Sequence, residues 1–491
     1  MKAGDAFETF RQMPQDIICG PYSLGVTTNG ALIAWEERQG RNGFRHVEVE
    51  VAGLKPGTAY RYRVNGCSRD GKFVTPPSAT DNRSSFSFFV WGDSRTGNEV
   101  GELIIGEMLE REPEACFAVH TGDMVEDGDL VEDWEQHWWS PMDNLLAAIP
   151  VYPVMGNHEV NSAWYQRYFG GLGGGGMNYS FDWGRVHFVV VDANRVNFGT
   201  AEQLAWLEAD LREHSDAEFT VVSHHIPVYF SSPGHAEGVT GMAYLQDSLL
   251  SMYENNGVDL VLSGDVHSFQ HHVKNDIHYL ISAGGGEKPY EHGLPLDNMT
   301  LSLAQDYHYG VGRYSEGSLH MSVYTPDGTV LDDFELGHGG STEIQTGAQV
   351  VCDRETIARG ESLKLDIYLK HVSNLEEVTL RLEYAKREPE LVLFAQDQDL
   401  FQDGVQVEPG ELGGTLQCNL ADNRSGILEY AETHLGGLTA ERILVATLNL
   451  TVPEDAWITA LYFVPRFNLL DTFGKSVPVF MDGVKVVIRP E

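Results

Sequence analysis

A chain of 491 residues is too long for one hydrophobic core, so two or three domains are expected. Its formal net charge of −39 argues against a nucleic-acid or anionic-membrane surface, and an apolar fraction of 42% with 10% aromatics argues against a disordered chain. Five cysteines (Cys19, Cys67, Cys116, Cys352, Cys418) show no Cys-x-x-Cys spacing, which speaks against a zinc–thiolate site.

In chain order, the opening MKAGDAFETFRQMPQD holds no apolar leader run, and no later stretch is long enough to span a bilayer. Residues 16–80 read as short strands: LIAW (32–35) and YRYRV (60–64) have period two, and LKPGTAY (54–60) sets Pro-Gly at a turn. Residues 84–337 alternate differently. Apolar runs at 86–91, 116–120, 151–155, 186–191, 219–223 and 258–263 read as buried strands, with helical patterns at 99–111 and 201–214 between them. That alternation predicts a layered α/β domain. The glycine-rich FGGLGGGGM (169–177) is expected to be a flexible loop able to shape a ligand entrance, and no Gly-Lys-Ser/Thr follows to make it a phosphate-cradling loop. A polar, glycine-rich linker (338–347) leads to residues 348–491, where SLKLDIYL, VTLRLEY, ILVATLNLTV and VKVVI predict a β-sandwich.

Ligands bind at the carboxyl ends of strands in open α/β sheets. The apolar runs of the middle region end there in GDSR (Asp93), TGDMVE (Asp123), MGNHE (Asn157, His158), SHHIP (His224, His225) and SGDVH (Asp265, His267). One aspartate after a strand is usually a cap or a turn residue. Five oxygen- and imidazole-bearing strand ends in one domain exceed what capping explains, and they point to a shared metal site.

This order of Gly-Asp, Gly-Asp, Gly-Asn-His-Glu, His and Gly-x-x-His resembles the calcineurin-like metallophosphoesterases, most closely their purple-acid-phosphatase-like members. The resemblance extends through YSFDWGRVHFVVVDAN and EQLAWLEADL. It implies a four-layer αββα sandwich with two divalent or mixed-valence metal ions, Mn, Fe or Zn, bridged by an aspartate. Carried onto this chain, Asp93, Asp123 and His267 hold the first metal, and Asp123, Asn157, His225 and Asp265 the second. His225 is preferred to His224 because His225-Ile226-Pro227 fits the family's His-x-Pro. His158 matches the histidine that stabilises or protonates the leaving group, with Glu159 orienting it. Two cations about 3.5–4 Å apart suit in-line attack at phosphorus, since both entering and leaving oxygens gain charge. The N-terminal segment resembles the fibronectin-III-like module of purple acid phosphatases, and the C-terminal one a cohesin-like sandwich with a possible dockerin-like or cell-surface partner.

Three positions depart from the family pattern. Arg95 stands where many members have a metal-binding histidine, and it has no lone pair to give. It can bind a substrate phosphate or neutralise the surrounding carboxylates. Glu126 takes the place of the tyrosine that colours purple acid phosphatases, so the protein is not expected to be purple. Glu126 is either a ligand of the first metal or a nearby or solvated acid. Asp265 replaces a histidine, which favours Mn²⁺, Mg²⁺ or Fe²⁺ over Zn²⁺ if it ligates. His235 matches a substrate-facing loop histidine, while His271 and His272 read as strand or surface residues.

The expectation is a phosphoesterase acting on small phosphate monoesters or diesters, with no nucleic-acid partner and no membrane insertion, in a secreted, periplasmic or cell-surface setting. The alternative is a catalytically degenerate scaffold that binds a partner through its β modules.

Overall fold

The computed structural model describes residues 9–10, 17–39, 43–65, 70–81, 84–232, 242–290, 293, 295–296, 299–336, 346–354, 356–384, 406–422, 427–451, 460–473, 477, 479–482 and 484–489. Most of the expected linker at 338–347 lies outside these residues, as does His235.

Two sheets carry the middle region. The first runs in the order Val330–Leu336, Ser318–Tyr324, Tyr309–Ser315, Ser85–Trp91, Phe117–His120, Val151–Pro153, with the last three strands parallel. The second runs Tyr179–Trp183, Val186–Val190, Phe219–Ser223, Leu260–Ser263, Ile277–Ser282, Phe269–Lys274, Thr300–Ala304, with four parallel strands from Val186–Val190 to Ile277–Ser282.

Side-chain alternation builds the layers. Phe188, Val190, Val221, Leu260 and Leu262 turn towards the first sheet, whereas Val189, Val191, Val222 and Val261 turn outwards. Between the sheets the ring of Phe188 lies 5.3 Å from Phe88 and 5.2 Å from Phe117, and Tyr152 stacks on Phe181 at 3.7 Å. On the outer face of the second sheet, helices Ala201–Glu213 and Ala243–Asn255 bury Leu207, Leu211, Leu245, Leu249 and Tyr253. Helix Asn98–Arg111 sets Ile104, Ile105 and Met108 into the core of the first. This is the αββα layering expected from the sequence.

The glycine-rich stretch is a correction to the expected flexible entrance loop. Gly173–Gly176 form a single 3₁₀ turn, and Tyr165 donates its hydroxyl to the Gly176 carbonyl. A Cβ on Gly171 would meet Leu32 and Glu48, so the stretch packs against the N-terminal strands.

Those strands form two three-stranded sheets with one small core, shared by Val26, Ile33, Trp35 and Val51 of one and Tyr62, Val64 and Phe73 of the other. Tyr152 ties this unit to the α/β domain, accepting from the Val26 N–H at 3.1 Å and donating to its carbonyl. Among the described C-terminal residues the regular elements are all strands. Strand Ser362–Tyr384 pairs with Gly347–Cys352 in its first half and Ala460–Asp471 in its second, the change falling at a bulge between Val372 and Leu375.

Candidate metal centre

The parallel strands deliver their chemistry at one end, and glycine makes the delivery possible. Asp93, Asp123 and Asp265 each follow a glycine just past the end of a strand, and each has a left-handed backbone with φ of 56°, 56° and 67°. Aspartate tolerates that region better than most residues, yet three repeats at strand ends are strained conformations held by surrounding structure. A Cβ on Gly156 would sit 2.1 Å from Asp123 Oδ1, and one on Gly264 would sit 2.7 Å from Asp93 Oδ2. The backbone therefore approaches the carboxylates as only glycine allows.

Asp93, Asp123 and His267 bring one ligand atom each within 4.8 Å of one another, all three side chains buried. His267 Nε2 lies 3.4 Å from Asp93 Oδ1, and its Nδ1 lies 3.3 Å from the Lys288 carbonyl oxygen. Beside this group, His225 donates from Nδ1 to the Thr121 carbonyl at 2.8 Å. That bond fixes the tautomer and leaves Nε2 as an acceptor. Nε2 faces Asn157 Oδ1 at 3.0 Å, Asp123 Oδ1 at 3.2 Å and Asp265 Oδ1 at 3.7 Å. Several acceptors with no donor among them cannot satisfy one another. A cation must stand between them, either a proton or a metal.

The electrostatics agree. Burial pushes the Asp93 and Asp265 carboxyls above their ordinary range. Burial also acts on Asp123, but the His225 imidazole beside it holds that carboxyl low. His225 is buried too, which alone would lower it, yet the Asp123 carboxylate carries it well above the usual imidazole value. A carboxylate-rich pocket that draws a proton onto its histidine has the donor set and charge for divalent cations.

His158 stands at the rim. Its Nδ1 donates to the Glu126 carbonyl at 2.5 Å, and its Nε2 lies 3.8 Å from Asp123 Oδ2. Glu159 does not orient it, contrary to the sequence expectation. Its buried carboxylate instead accepts the backbone N–H groups of Asp123 (3.0 Å), Val125 (3.0 Å) and Gly156 (2.9 Å). Turned inwards by that network, Glu159 holds the two ligand loops together.

Arg95 reaches Asp123 Oδ2 with Nε at 3.4 Å and pairs through Nη1 with Glu126. Glu126 is half exposed and engaged by Arg95, and it is not part of the Asp93–Asp123–His267 group. His224 points elsewhere, donating from Nδ1 to the Ile226 carbonyl at 2.8 Å. His271 and His272 lie buried in strand Phe269–Lys274, not on the surface.

Sequence reasoning missed Tyr290, whose ring stacks on His267 at 4.1 Å, and Glu287, whose N–H donates to the Asp93 carbonyl at 2.8 Å. Both come from an irregular loop, EKPY, that carries no strand-end signal.

Residues 100–269 match the calcineurin-like phosphoesterase family, a span that holds Asp123, Asn157, His158, His225, Asp265 and His267 and begins after Asp93. Among curated proteins, the chain is similar to three purple acid phosphatases of Arabidopsis thaliana. These are number 21 (28% identical, 45% of this chain and 52% of that one), number 18 (28%, 50% and 60%) and number 15 (26%, 45% and 48%). The matched part spans about half to three-fifths of the length of these relatives. Among solved structures, the purple acid phosphatase PPD1 from yellow lupin (Lupinus luteus) seeds aligns with a TM-score of 0.54 at 14% identity, covering 64% of this chain and 73% of that one. PhoD aligns at 0.50 with 13% identity, covering 67% and 95%. These structural likenesses speak for the fold. The chain thus carries a calcineurin-like metallophosphoesterase domain, which implies divalent metal ions.

Proposed function

We propose that this protein is a metal-dependent phosphoesterase that hydrolyses phosphate monoesters or diesters with metal-activated water at a two-metal centre. The observation that carries the reading is the convergence of His225 Nε2, Asn157 Oδ1, Asp123 Oδ1 and Asp265 Oδ1 beside the Asp93–Asp123–His267 group. These residues fit two cations sharing Asp123. Once bound, the cations would supply Lewis-acid activation of water and neutralise charge on the phosphoryl oxygens.

The chain's own groups do the rest. Thr121 and Lys288 carbonyls aim the two imidazoles, and Glu159 locks the Asp123 and Gly156 backbones. His158, with Nδ1–H held by the Glu126 carbonyl, presents Nε2 at the rim, where the doubly protonated ring can give a proton to the leaving oxygen. Arg95 contributes a guanidinium fork beside Asp123, suited to a pair of phosphate oxygens. The N- and C-terminal β segments, read as fibronectin-III-like and cohesin-like, would space or attach the domain in a secreted or surface setting.

The test is metal reconstitution with Mn²⁺, Zn²⁺, Fe and Mg²⁺, assayed on a chromogenic monoester and diester with wild type and Asp123→Asn. Turnover should require added metal and should fall by roughly a thousandfold or more in the variant, as for other groups that hold a catalytic centre. Turnover indifferent to Asp123→Asn, or none with any metal, would sink the enzyme reading and leave the binding-scaffold alternative.

A further inference from the structure

A second cluster of ligand-type side chains lies away from the centre just described. The hairpin Tyr179–Trp183/Val186–Val190 closes through Gly184 (φ 65°) and Arg185, which sets Asp182 directly opposite His187 in the ladder. His214 follows the helix Ala201–Glu213 and stacks on His187 with ring centroids 3.8 Å apart. Asp182, His187 and His214 each offer one ligand atom within 4.8 Å of the other two.

Asp210 organises both imidazoles. Its carboxylate Oδ2 accepts from His187 Nε2 at 3.0 Å, and its backbone carbonyl accepts from His214 Nδ1 at 2.8 Å. In the neutral rings each bond spends the one N–H and leaves the opposite nitrogen as a lone pair; at His187 a proton sits between Nδ1 and Asp182 until a cation displaces it. His187 Nδ1 then faces Asp182 Oδ1 at 2.8 Å, and His214 Nε2 faces Asp182 Oδ2 at 4.0 Å. Carboxylates and carbonyls that hold the far nitrogen of a ligand histidine are the usual outer support of metal sites. The two separations here run to different Asp182 oxygens, and rings stacked 3.8 Å apart aim their lone pairs along parallel planes, so the partly exposed His214 must turn for both nitrogens to reach one ion about 2.0–2.1 Å from each.

Position separates the cluster from the phosphoesterase centre. His187 pairs with Thr220 near the start of strand Phe219–Ser223, whereas His225 follows its end. Five residues of extended chain put the two on the order of 15 Å apart. The cluster borders a cleft of about 600 Å³ that is also lined by Arg185, Asp216 and Thr80. Arg185 is paired with Glu218 at 2.6 Å, so its charge is already compensated.

We propose that Asp182, His187 and His214 form an independent binding site for a borderline divalent cation such as Zn²⁺, with its fourth position open to the cleft. Two imidazoles and one carboxylate select Zn²⁺ over Mg²⁺ or Ca²⁺, which prefer oxygen. Bound there, the ion clamps the edge strand Tyr179–Trp183 to the C-terminal end of helix Ala201–Glu213.

The test uses the full chain and Zn²⁺ alone. Zn²⁺ binding and thermal unfolding are measured for wild type, Asp123→Asn, His214→Ala and Asp182→Asn, the last two altering partly exposed side chains. One Zn²⁺ equivalent should persist in Asp123→Asn and weaken by roughly a hundredfold or more in His214→Ala and Asp182→Asn. Zn²⁺ should raise the Tm of Asp123→Asn, but not of Asp123→Asn combined with His214→Ala. A folded His214→Ala protein that binds as many equivalents as wild type with the same affinity overturns the site. Because the stoichiometry is read without substrate, this result is independent of whether the phosphoesterase reading holds.

Discussion

Acid should unfold this protein through histidines that burial holds neutral. Burial holds His120, His272 and His278 down to about 3 and His224 and His308 down to about 4, against an ordinary value of 6.5. His272 shows why. Its Nε2 donates to Gln270 Oε1 at 3.0 Å and its Nδ1 accepts from the Thr300 hydroxyl at 2.9 Å, so the neutral ring is fully satisfied and a second proton has no acceptor. A folded value below the unfolded one means the stabilisation is complete above 6.5 and is lost as pH falls towards 3–4. Each such group costs about 1.4 kcal/mol per pH unit, or about 2 kcal/mol at about pH 5. Five groups set an upper bound of about 10 kcal/mol, comparable to the whole stability of a domain. His46, His187, His225 and His267, whose folded values are raised by facing carboxylates, work in the opposite sense, so urea midpoints measured between about pH 7.5 and about pH 5 should fall by less than that bound, with His272→Gln flattening the wild-type slope by close to one proton. A His272→Gln slope equal to wild type would refute the reasoning.

Three substitutions probe the centre itself. Gly264→Ala sets a methyl 2.7 Å from Asp93 Oδ2, 2.8 Å from the Thr121 carbonyl and 2.9 Å from His225 Nδ1. It should cost about 1–3 kcal/mol by overpacking and lower kcat far more than stability, read by melting and steady-state assays. Asp265→His exchanges a hard oxygen donor for nitrogen, so competitive reconstitution should move the preference from Mn²⁺ or Mg²⁺ towards Zn²⁺; an unchanged order would remove Asp265 from the ligand set. Glu126→Gln releases Arg95 from its ion pair and should lower KM for a phosphate ester by up to about tenfold, as expected when a charged hydrogen-bond donor is freed. No change in KM would confine Arg95 to charge balance with Asp123.

What the sequence made legible was what each strand carries locally. Runs such as VLSGDVH announce a buried strand, its end and its donors within seven residues, and alternation in VHFVVV divides Phe188 and Val190 from Val189 and Val191 between the two layers. Contacts made across long sequence separations left no such trace. Glu159 follows the Asn157–His158 pair and looks like its support, yet it reaches 36 residues back to the Asp123 N–H. Tyr290 and Glu287 reach His267 and Asp93 from an irregular loop, and no spacing rule could place them. The glycine run at 169–177 was misread for a related reason: composition suggests freedom, while packing against Leu32 and Glu48 takes it away.

Seven of the buried histidines divide by one physical criterion, the carboxylate. Where none pairs with the ring, as at His120, His224, His272 and His308, burial wins and the imidazole stays neutral. Where carboxylates face it, as at His225 (Asp123), His267 (Asp93) and His187 (Asp182 and Asp210), their charge outweighs burial and the ring holds a proton more tightly than usual. A divalent cation at any of these three must displace that proton, so cation binding weakens as pH falls. Acid then acts twice in the same direction, discharging cations from the carboxylate-facing histidines and charging the neutral ones. Cations bound to the native state add stability by mass action, so their loss in acid removes it. The acid transition should therefore move to lower pH when Mn²⁺ or Zn²⁺ is in excess, and to higher pH with a chelator.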